Sequence, residues 1–434
     1  MITQLLWLAL VLAVLSLLVA GPTLRRSAPH VWWCLLGYPQ TVLRVLFTWR
    51  RLTTVTGLAI PRRPPRAILG EMTVSGDPLK PVPPRLGTLK LRRGGLELAI
   101  RLHPGQVPDQ FTAVTDALTH AWRVHSVRVR PGARGFVTVT ALAWDPLAAP
   151  TIPHLPGRLL RAVVGLLEDG RTWALDFRLV PHWLIVGATR SGKSTLIAAL
   201  VRQLAPQRVA LFGIDLKGGL ELSLFEPRLS ALAATRTEAA ALLTGLVAET
   251  EARMALCRTA GVRSVWDLPA KLRKTPIVVI VDEVAELYLT PTRDDKAEVA
   301  EISVNLLRLA QLGAALGVHL VVAGQRVGSD LGPGVTALRA QLAGRICHRV
   351  NDPATAEMAL GDLNKDALAA AQQITLSEPG VAVTATTDGQ WTRARSVHVT
   401  PEQALRVARK HAHLTPPWPG LTDPAGEAQE GIYL

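Results

Sequence analysis

Hydrophobic positions change their spacing along this chain and predict three regions. Residues 5–21 form one apolar run, in which Ser16 is the only polar side chain. At 1.5 Å per residue it would span about 25 Å as a helix, close to the thickness of a bilayer core. Residues 85–150 mix alternating apolar positions with helical spacing, which predicts a small α/β unit. From about residue 150, continuous apolar segments alternate with helical ones, which is typical of a parallel sheet covered on both faces.

The first region predicts a membrane anchor. No Lys or Arg precedes the apolar run, whereas Arg25 and Arg26 follow it. The positive-inside rule then places the N-terminus outside the cell and the remainder in the cytoplasm. A second apolar stretch, residues 31–49, contains Pro39 and Arg44, and its polar residues recur at three-to-four spacing. This pattern favours a helix in the membrane interface near anionic lipid, and a hairpin of two spanning helices is the alternative.

In residues 85–150, which we call the adaptor, strand patterns occur at 96–102, 126–130 and 135–142, and a helical pattern at 110–122. No catalytic constellation is present in this sequence segment. Four arginines in its second half indicate contact with DNA or neighbouring subunits, or else an ordinary solvated face; they are Arg123, Arg128, Arg130 and Arg134.

The charge is distributed unevenly over the 434 residues, whose net charge is +14. Residues 1–181 contain 22 Lys and Arg against 9 Asp and Glu, whereas residues 182–434 contain 26 against 25. This asymmetry indicates an anionic partner for the front half, either lipid headgroups or nucleic acid or both, although a genome rich in Arg codons would give the same bias. The three cysteines form no C-x-x-C pair, which argues against a disulfide framework or structural zinc and favours the reducing cytosol.

In the third region, buried strands are predicted at residues 183–186, 209–214, 277–281, 320–323 and 345–347. Helices are predicted at 193–204, 238–257 and 296–316. Thr400, Pro401 and Glu402 are typical of a helix N-terminus and predict a further helix to about residue 411.

A phosphate-binding loop lies between the first strand and the first helix of this region. Residues 187–194 read GATRSGKS and match the pattern G-x-x-x-x-G-K-[ST] in its strand–loop–helix context. In such loops, backbone N–H groups and the helix N-terminus bind phosphate oxygens, Lys193 reaches the β- and γ-phosphates, and Ser194 binds Mg²⁺. We therefore predict ATP and Mg²⁺ as cofactors. The expected nucleotide-binding residues are Gly187, Ala188, Thr189, Arg190, Ser191, Gly192, Lys193, Ser194 and Thr195.

Two carboxylates follow the strand at residues 277–281. We assign Asp282 to Mg²⁺ and Glu283 to the attacking water, with Glu286 as the alternative water ligand. Gln325 follows the next strand and is the candidate that contacts the γ-phosphate and reports hydrolysis. Arg326 beside it is a candidate for contact with the phosphate, a neighbouring subunit or DNA.

With these motifs, residues 150–400 resemble the FtsK/SpoIIIE family of ring-forming DNA translocases. The segments that carry the resemblance are residues 182–189, 214–217 with 221–223, 249–253, 260–263, 323–326, and 344–349 with 352 and 359–362. The resemblance implies an α/β motor domain of the P-loop NTPase (RecA-like) type and a homo-hexameric ring around double-stranded DNA. It also implies ATP between subunits and an arginine from the neighbouring subunit at the transferring phosphate.

Arg345 is the first candidate for this arginine and Arg349 the second, while a role for Arg345 at the edge of the core is the alternative. Loops that face the centre of the ring would contact DNA phosphates. The candidates for that contact are Arg326, Arg339 and residues 328–334.

The chain also departs from the family pattern. Arg190 stands where the family usually has glycine, and the 34 residues after Thr400 are too few for a C-terminal winged-helix module. The short layout is similar to plasmid and integrative-element transfer proteins of actinobacteria. We expect an anchor at 1–22, a basic juxtamembrane segment and linker at 23–84, the adaptor at 85–150, the motor at 151–400, and a helix with a flexible tail at 401–434.

The sequence therefore predicts a membrane-anchored, ATP-driven translocase of double-stranded DNA in conjugative transfer. The alternatives are a chromosome-segregation motor, an ATPase like those of type VII secretion that moves protein, and a non-enzymatic membrane-anchored DNA-binding or regulatory protein. The presence of only one phosphate loop argues against the secretion class, which usually has several tandem ATPase domains. The intact Lys193, Ser194, Asp282 and Glu283 argue against a vestigial site.

Overall fold

The computed structural model of the chain describes residues 21–25, 27–61, 81–92, 94–152, 158–290, 295–361, 365–385 and 390–418. The chain divides into two compact units, Met1–Ala148 and Ala149–Leu434. The predicted membrane helix lies outside the described residues except for Gly21, and so do most of the predicted linker and of the C-terminal tail. Among the described helices, one is long and apolar enough to cross a bilayer, Asp295–Leu316, and it contributes to the core of the second unit.

The N-terminal unit is built on an antiparallel sheet. Its strands are β1 (Ile60–Pro61), β2 (Pro81–Val82), β3 (Arg85–Arg92), β4 (Gly95–Arg101), β5 (Ser126–Pro131) and β6 (Phe136–Leu142). Strands β1 and β2 pair with each other, and the other four form a sheet in the order β3-β4-β6-β5. The helices are α1 (Pro29–Trp32), α2 (Tyr38–Val55), α3 (Pro108–Thr112) and α4 (Thr115–Trp122), and a short π-helical segment, Trp33–Gly37, joins α1 to α2. The single helix expected at 110–122 is thus two helices with a turn at residues 113–114.

Helix α2 packs in the core of this unit. Trp33 and Trp49 are buried there, and their indole N–H groups donate to the carbonyls of Gly95 (3.1 Å) and Pro84 (2.8 Å). The tryptophan-bearing face therefore packs against protein, because the polar indole groups find backbone partners in the same unit. The opposite face of α2 is exposed.

The second unit contains a ten-stranded sheet. Its strands are β7 (Arg161–Leu167), β8 (Thr172–Asp176), β9 (Trp183–Val186), β10 (Ala210–Ile214), β11 (Ala231–Ala233), β12 (Ile277–Val281), β13 (Val318–Gly324), β14 (Gly344–His348), β15 (Val381–Ala385) and β16 (Trp391–Ser396). The order is β11-β10-β12-β13-β9-β14-β15-β16-β7-β8.

The sheet is mixed, although the sequence predicted a parallel one. The six strands from β11 to β14 are parallel, and β15, β16, β7 and β8 extend the sheet with antiparallel pairs. Short connections, at residues 386–390 and 168–171, join the strands of two of these pairs, and such connections permit only antiparallel pairing.

Helices cover both faces of this sheet. They are α5 (Lys193–Leu204), α6 (Arg236–Thr259), α7 (Val284–Tyr288), α8 (Asp295–Leu316), α9 (Val335–Gln341), α10 (Pro353–Ala356), α11 (Lys365–Gln372) and α12 (Pro401–Lys410). Successive residues of a strand point to opposite faces. Leu184 accordingly belongs to the cluster that contains α8, and Ile185 to the cluster that contains α5. Helix α5 has the predicted bounds, and Thr400 caps α12 as predicted, with a reciprocal bond to Gln403.

Candidate nucleotide-binding site

The predicted phosphate loop occupies residues 187–192, between the end of β9 and the start of α5. Gly192 has φ +114°, and a Cβ there would lie 2.5 Å from the backbone of Gly380, so the position requires glycine. Three backbone hydrogen bonds fix the loop to its surroundings: Gly187 N–H donates to Gly324 O at 3.2 Å, Ala188 N–H donates to Arg349 O at 2.9 Å, and Gly380 N–H donates to Ser191 O at 2.9 Å. The loop is therefore held in shape by its own chain.

Two residues of the loop have features that are typical of ligand sites: an unpartnered buried hydroxyl and a strained backbone. In the part of the chain that the structure describes, the buried Ser191 hydroxyl has no hydrogen-bond partner, and it lies against Gly187 inside the loop. Such a hydroxyl is suited to donate to a phosphate oxygen. Arg190 is exposed and has φ +60°, a conformation that costs a non-glycine residue on the order of 1–3 kcal/mol. This conformation accounts for the glycine that the FtsK/SpoIIIE family usually has at the position.

The predicted metal ligands lie in one cavity. Ser194 and Thr195, in the first turn of α5, line a cavity of about 160 Å³ together with Asp282 and Glu221. Asp282 follows β12 and is buried, and its backbone N–H donates to Ile214 O at 3.0 Å. A hydroxyl and a carboxylate on a common cavity are the donor set that a phosphate-loop protein offers to Mg²⁺.

Burial, and secondarily the nearby Asp215, raise the pKa of the Asp282 carboxyl to about 6 against the opposing effect of Lys217. Burial also lowers the pKa of Lys193, although Glu283 acts in the other direction. Charges here are thus poorly hydrated, and a bound dication together with phosphate would supply the missing counter-charges.

Glu283 is buried at the centre of the site and is held from three sides. Its Oε2 lies 3.5 Å from the ammonium of Lys193 and 3.6 Å from that of Lys217. Its Oε1 accepts a hydrogen bond from the backbone N–H of Gln325 at 3.0 Å. Glu286, the alternative water ligand, lies on α7 and is only partly buried. The carboxylate that the sequence assigned to the water therefore adjoins both the phosphate-loop lysine and the tip of β13.

Asp215 is a residue to which the sequence analysis gave no role. It follows β10, is 1% exposed, and its carboxylate accepts hydrogen bonds from the backbone N–H groups of Lys217 (3.2 Å), Glu221 (2.8 Å) and Leu222 (3.1 Å). Its position directly after a buried strand parallel to β12 was the available signal. Asp215 shapes the loop that brings Lys217 to Glu283.

The two arginines considered for a neighbouring subunit lie in different settings. Arg345 is 7% exposed on β14, an inner strand, and its Nη2 donates to Arg339 O at 2.6 Å. Arg345 thus packs within its own chain, and its role toward a neighbouring subunit stays a prediction. Arg349 is partly buried and donates from Nη2 to Thr189 O at 3.2 Å and from Nη1 to Asn351 Oδ1 at 3.0 Å. Arg349 thus contacts the phosphate loop of its own chain.

Comparison with known proteins gives two family matches. Residues 18–143 match the actinomycete conjugal transfer protein N-terminal domain, and residues 160–274 and 266–329 match the FtsK/SpoIIIE family. The transfer protein TraSA of Streptomyces ambofaciens is 43% identical over 391 residues, which are 87% of this chain and 94% of that protein. A sporulation regulatory protein of Streptomyces azureus is 48% identical over 56% of this chain and 80% of its own length.

Two further matches are more distant. The DNA translocase FtsK of Campylobacter jejuni is 30% identical over 49% of this chain, but the match spans only 23% of that translocase. The solved structure of the pCW3 conjugation coupling protein TcpA with ATPγS has a TM-score of 0.52 and 19% identity, and covers 83% of this chain and 98% of TcpA. That likeness shows a shared fold.

The two family models follow each other along the chain, and the TraSA relationship extends over almost the whole of both proteins. The phosphate loop, the acidic pair after β12 and the Gln325 strand tip described above lie inside the FtsK/SpoIIIE match or at its end. The chain therefore belongs to the family of actinomycete conjugal transfer proteins whose second unit is a P-loop ATPase domain of the FtsK/SpoIIIE type.

Proposed function

We propose that this protein is a membrane-anchored motor that hydrolyses ATP to move double-stranded DNA in conjugal transfer. The observation that carries the proposal is the position of the Glu283 carboxylate, which adjoins the phosphate-loop Lys193 and the tip of β13 at Gln325. A carboxylate in this place can orient a water molecule toward a bound γ-phosphate.

The residues divide the chemistry among them. Backbone N–H groups of residues 187–192 and the start of α5 bind the phosphates, and Lys193 neutralises their charge. Ser194 and Asp282 would hold Mg²⁺, which when bound supplies positive charge to the phosphate oxygens. Glu283 takes the proton of the attacking water. Gln325, at the end of β13, contacts the γ-phosphate and so senses its loss.

DNA as the substrate is supported by the relatives and by the connection of one arginine-bearing loop to the site. Residues 325–334 begin at the N–H that binds Glu283 and carry Arg326, whose Nε lies 3.3 Å from Asp330 Oδ2. Arg339 donates to Val327 O at 3.5 Å, at the base of the same loop. We propose that this loop contacts phosphates of duplex DNA inside a hexameric ring. A movement of the loop along DNA would then be transmitted to Glu283 through the Gln325 N–H.

Membrane attachment is the second part of the proposal. Residues 5–21 supply the apolar span, and no acidic residue occurs among the first 70. The outward face of α2 exposes Leu43, Leu46 and Phe47, with Arg50 and Arg51 also exposed. Apolar side chains beside arginines suit a surface of anionic lipid. We propose that this face lies on the cytoplasmic leaflet beside the anchor, with the motor in the cytoplasm.

ATP turnover by the full chain in anionic lipid, measured with and without duplex DNA over a salt series, tests this function. We expect stimulation by DNA that weakens as salt rises, because phosphate contacts release counterions. A protein-moving ATPase would hydrolyse ATP without response to DNA, and a non-enzymatic protein would bind DNA without turnover.

A further inference from the structure

A second ammonium lies beside the acidic pair, and neither the phosphate loop nor the proposed reaction accounts for it. Lys217 Nζ lies 3.6 Å from Glu283 Oε2 and 4.0 Å from Asp282 Oδ2. The side chains of Asp282 and Glu283 are almost completely buried, whereas that of Lys217 is 38% exposed. One partly solvated lysine therefore contacts both carboxylates on which metal binding and water activation depend.

The loop that carries Lys217 is built to hold it there. The buried Asp215 carboxylate binds the backbone N–H of Lys217 and closes the loop again at Glu221 and Leu222. Gly218 and Gly219 follow with φ of +72° and +74°, values that L side chains rarely adopt. The backbone of the loop is thus fixed, while the four-carbon stem of Lys217 leaves its ammonium free to swing.

A lysine and Mg²⁺ compete for the same carboxylate oxygen. Mg²⁺ binds carboxylates at about 2.0–2.1 Å and would bring two positive charges close to the place where the Lys217 ammonium now lies. Repulsion between the two cations favours movement of the more mobile one. The negative oxygens of a bound γ-phosphate would be the acceptor for the displaced ammonium.

We propose that Lys217 is a displaceable counter-cation, which pairs with Asp282 and Glu283 in the nucleotide-free protein and moves to the γ-phosphate when Mg²⁺ binds at Asp282. The proposal rests on the proposed ATPase function. It makes Lys217 a residue that keeps free divalent ions out of the empty site and releases Glu283 only when nucleotide and metal arrive together.

Binding of Mn²⁺ to the full-length protein without nucleotide, followed by electron paramagnetic resonance, tests this role. Lys217→Met removes the charge and keeps the length of the chain, and we expect it to bind Mn²⁺ about tenfold more tightly than the wild type. Lys217→Arg keeps a cation and should stay within twofold of the wild type. Lys217→Gln provides a second neutral variant, and thermal unfolding checks that each variant is folded.

ATP turnover gives an independent readout. We expect kcat of Lys217→Met to fall by about 10- to 100-fold while its Kd for ATP changes less than threefold, because the ammonium reaches the γ-phosphate only with the metal in place. Equal Mn²⁺ affinity in the wild type and in both folded neutral variants would overturn the role of Lys217. If the wild type itself neither binds nor hydrolyses ATP, the proposed function fails, whatever the Mn²⁺ result.

Discussion

The ammonium of Lys193 lies 3.5 Å from Oε2 of Glu283, although 90 residues separate the two in the chain. The lysine that should bind phosphate thus lies within ion-pair distance of the carboxylate that should activate water. A bound triphosphate competes for the lysine, and this competition would free Glu283 to bind its water. The pair therefore links occupation of the phosphate loop to readiness for hydrolysis.

Replacing Glu283 with Gln should abolish turnover and preserve nucleotide binding. The amide keeps the shape of the side chain but cannot accept a proton, so we expect kcat to fall by about 10²–10⁴-fold. Equilibrium binding of a fluorescent ATP analogue should change only a few-fold. Glu286→Gln, three residues further on, is the matched control and should keep wild-type turnover. Hydrolysis at the wild-type rate in Glu283→Gln would remove Glu283 from its assigned role.

The buried Asp282 should make stability depend on pH. Its pKa is about 6 in the folded protein, against an ordinary 3.8, so the unfolded chain releases this proton at lower pH. The raised pKa therefore stabilises the folded protein by about 3 kcal/mol below about pH 4, where Asp282 is protonated in both states. This contribution is lost as the pH rises through about 6 and the buried carboxyl ionises.

Asp282→Asn does not ionise and should avoid this cost. We expect the variant to unfold at a higher temperature than the wild type at pH 7.5, with a smaller difference at pH 4.5. Thermal unfolding without metal or nucleotide measures the difference, and comparison of the two proteins cancels the other titrating groups. A difference that is equal at both pH values would contradict the shifted pKa.

Replacement of Arg345 should affect stability, whereas replacement of Arg349 should affect ATP binding. Arg345 is buried and bonded to Arg339 O, so Arg345→Met should lower the free energy of unfolding by about 1–3 kcal/mol through the carbonyl left unpaired. Arg349→Met removes contacts at the surface of the phosphate loop and should mainly weaken ATP binding. Thermal unfolding and ATP binding on both variants distinguish them. Unchanged stability of Arg345→Met, with loss of turnover only in assembled rings, would instead support its role toward a neighbouring subunit.

The exposed face of α2 should contact lipid. Phe47 is 81% exposed, whereas Lys90 of the same unit is exposed on β3 and serves as the control position. In a Cys34→Ser background, an environment-sensitive fluorophore on Phe47→Cys should shift to the blue in anionic vesicles, and the same label on Lys90→Cys should not. Emission typical of water at both positions would contradict the proposed membrane face.

The sequence could predict those parts of the site that depend on local patterns. The phosphate loop and the pair Asp282–Glu283 each follow a buried strand, so strand burial and residue type together located them. The roles of Asp215 and Lys217 depend on how a loop folds back across a neighbouring strand, which no local spacing reveals.

Tertiary packing also overrode two patterns. The apolar face with Trp33 and Trp49 gave the same signal for lipid as for protein, and only the carbonyls of Gly95 and Pro84 decide between them. The strands that add antiparallel pairs to the sheet include Trp391–Ser396, whose charged and polar residues concealed its place in the sheet.

Displacement of a third strand from a DNA triplex tests the central claim most directly, because only movement along the duplex removes that strand. With the full-length protein in anionic vesicles, we predict displacement that requires ATP and is lost in Glu283→Gln, while that variant still binds the duplex. Displacement without ATP, or at an equal rate in Glu283→Gln, would contradict a motor driven by hydrolysis at this site.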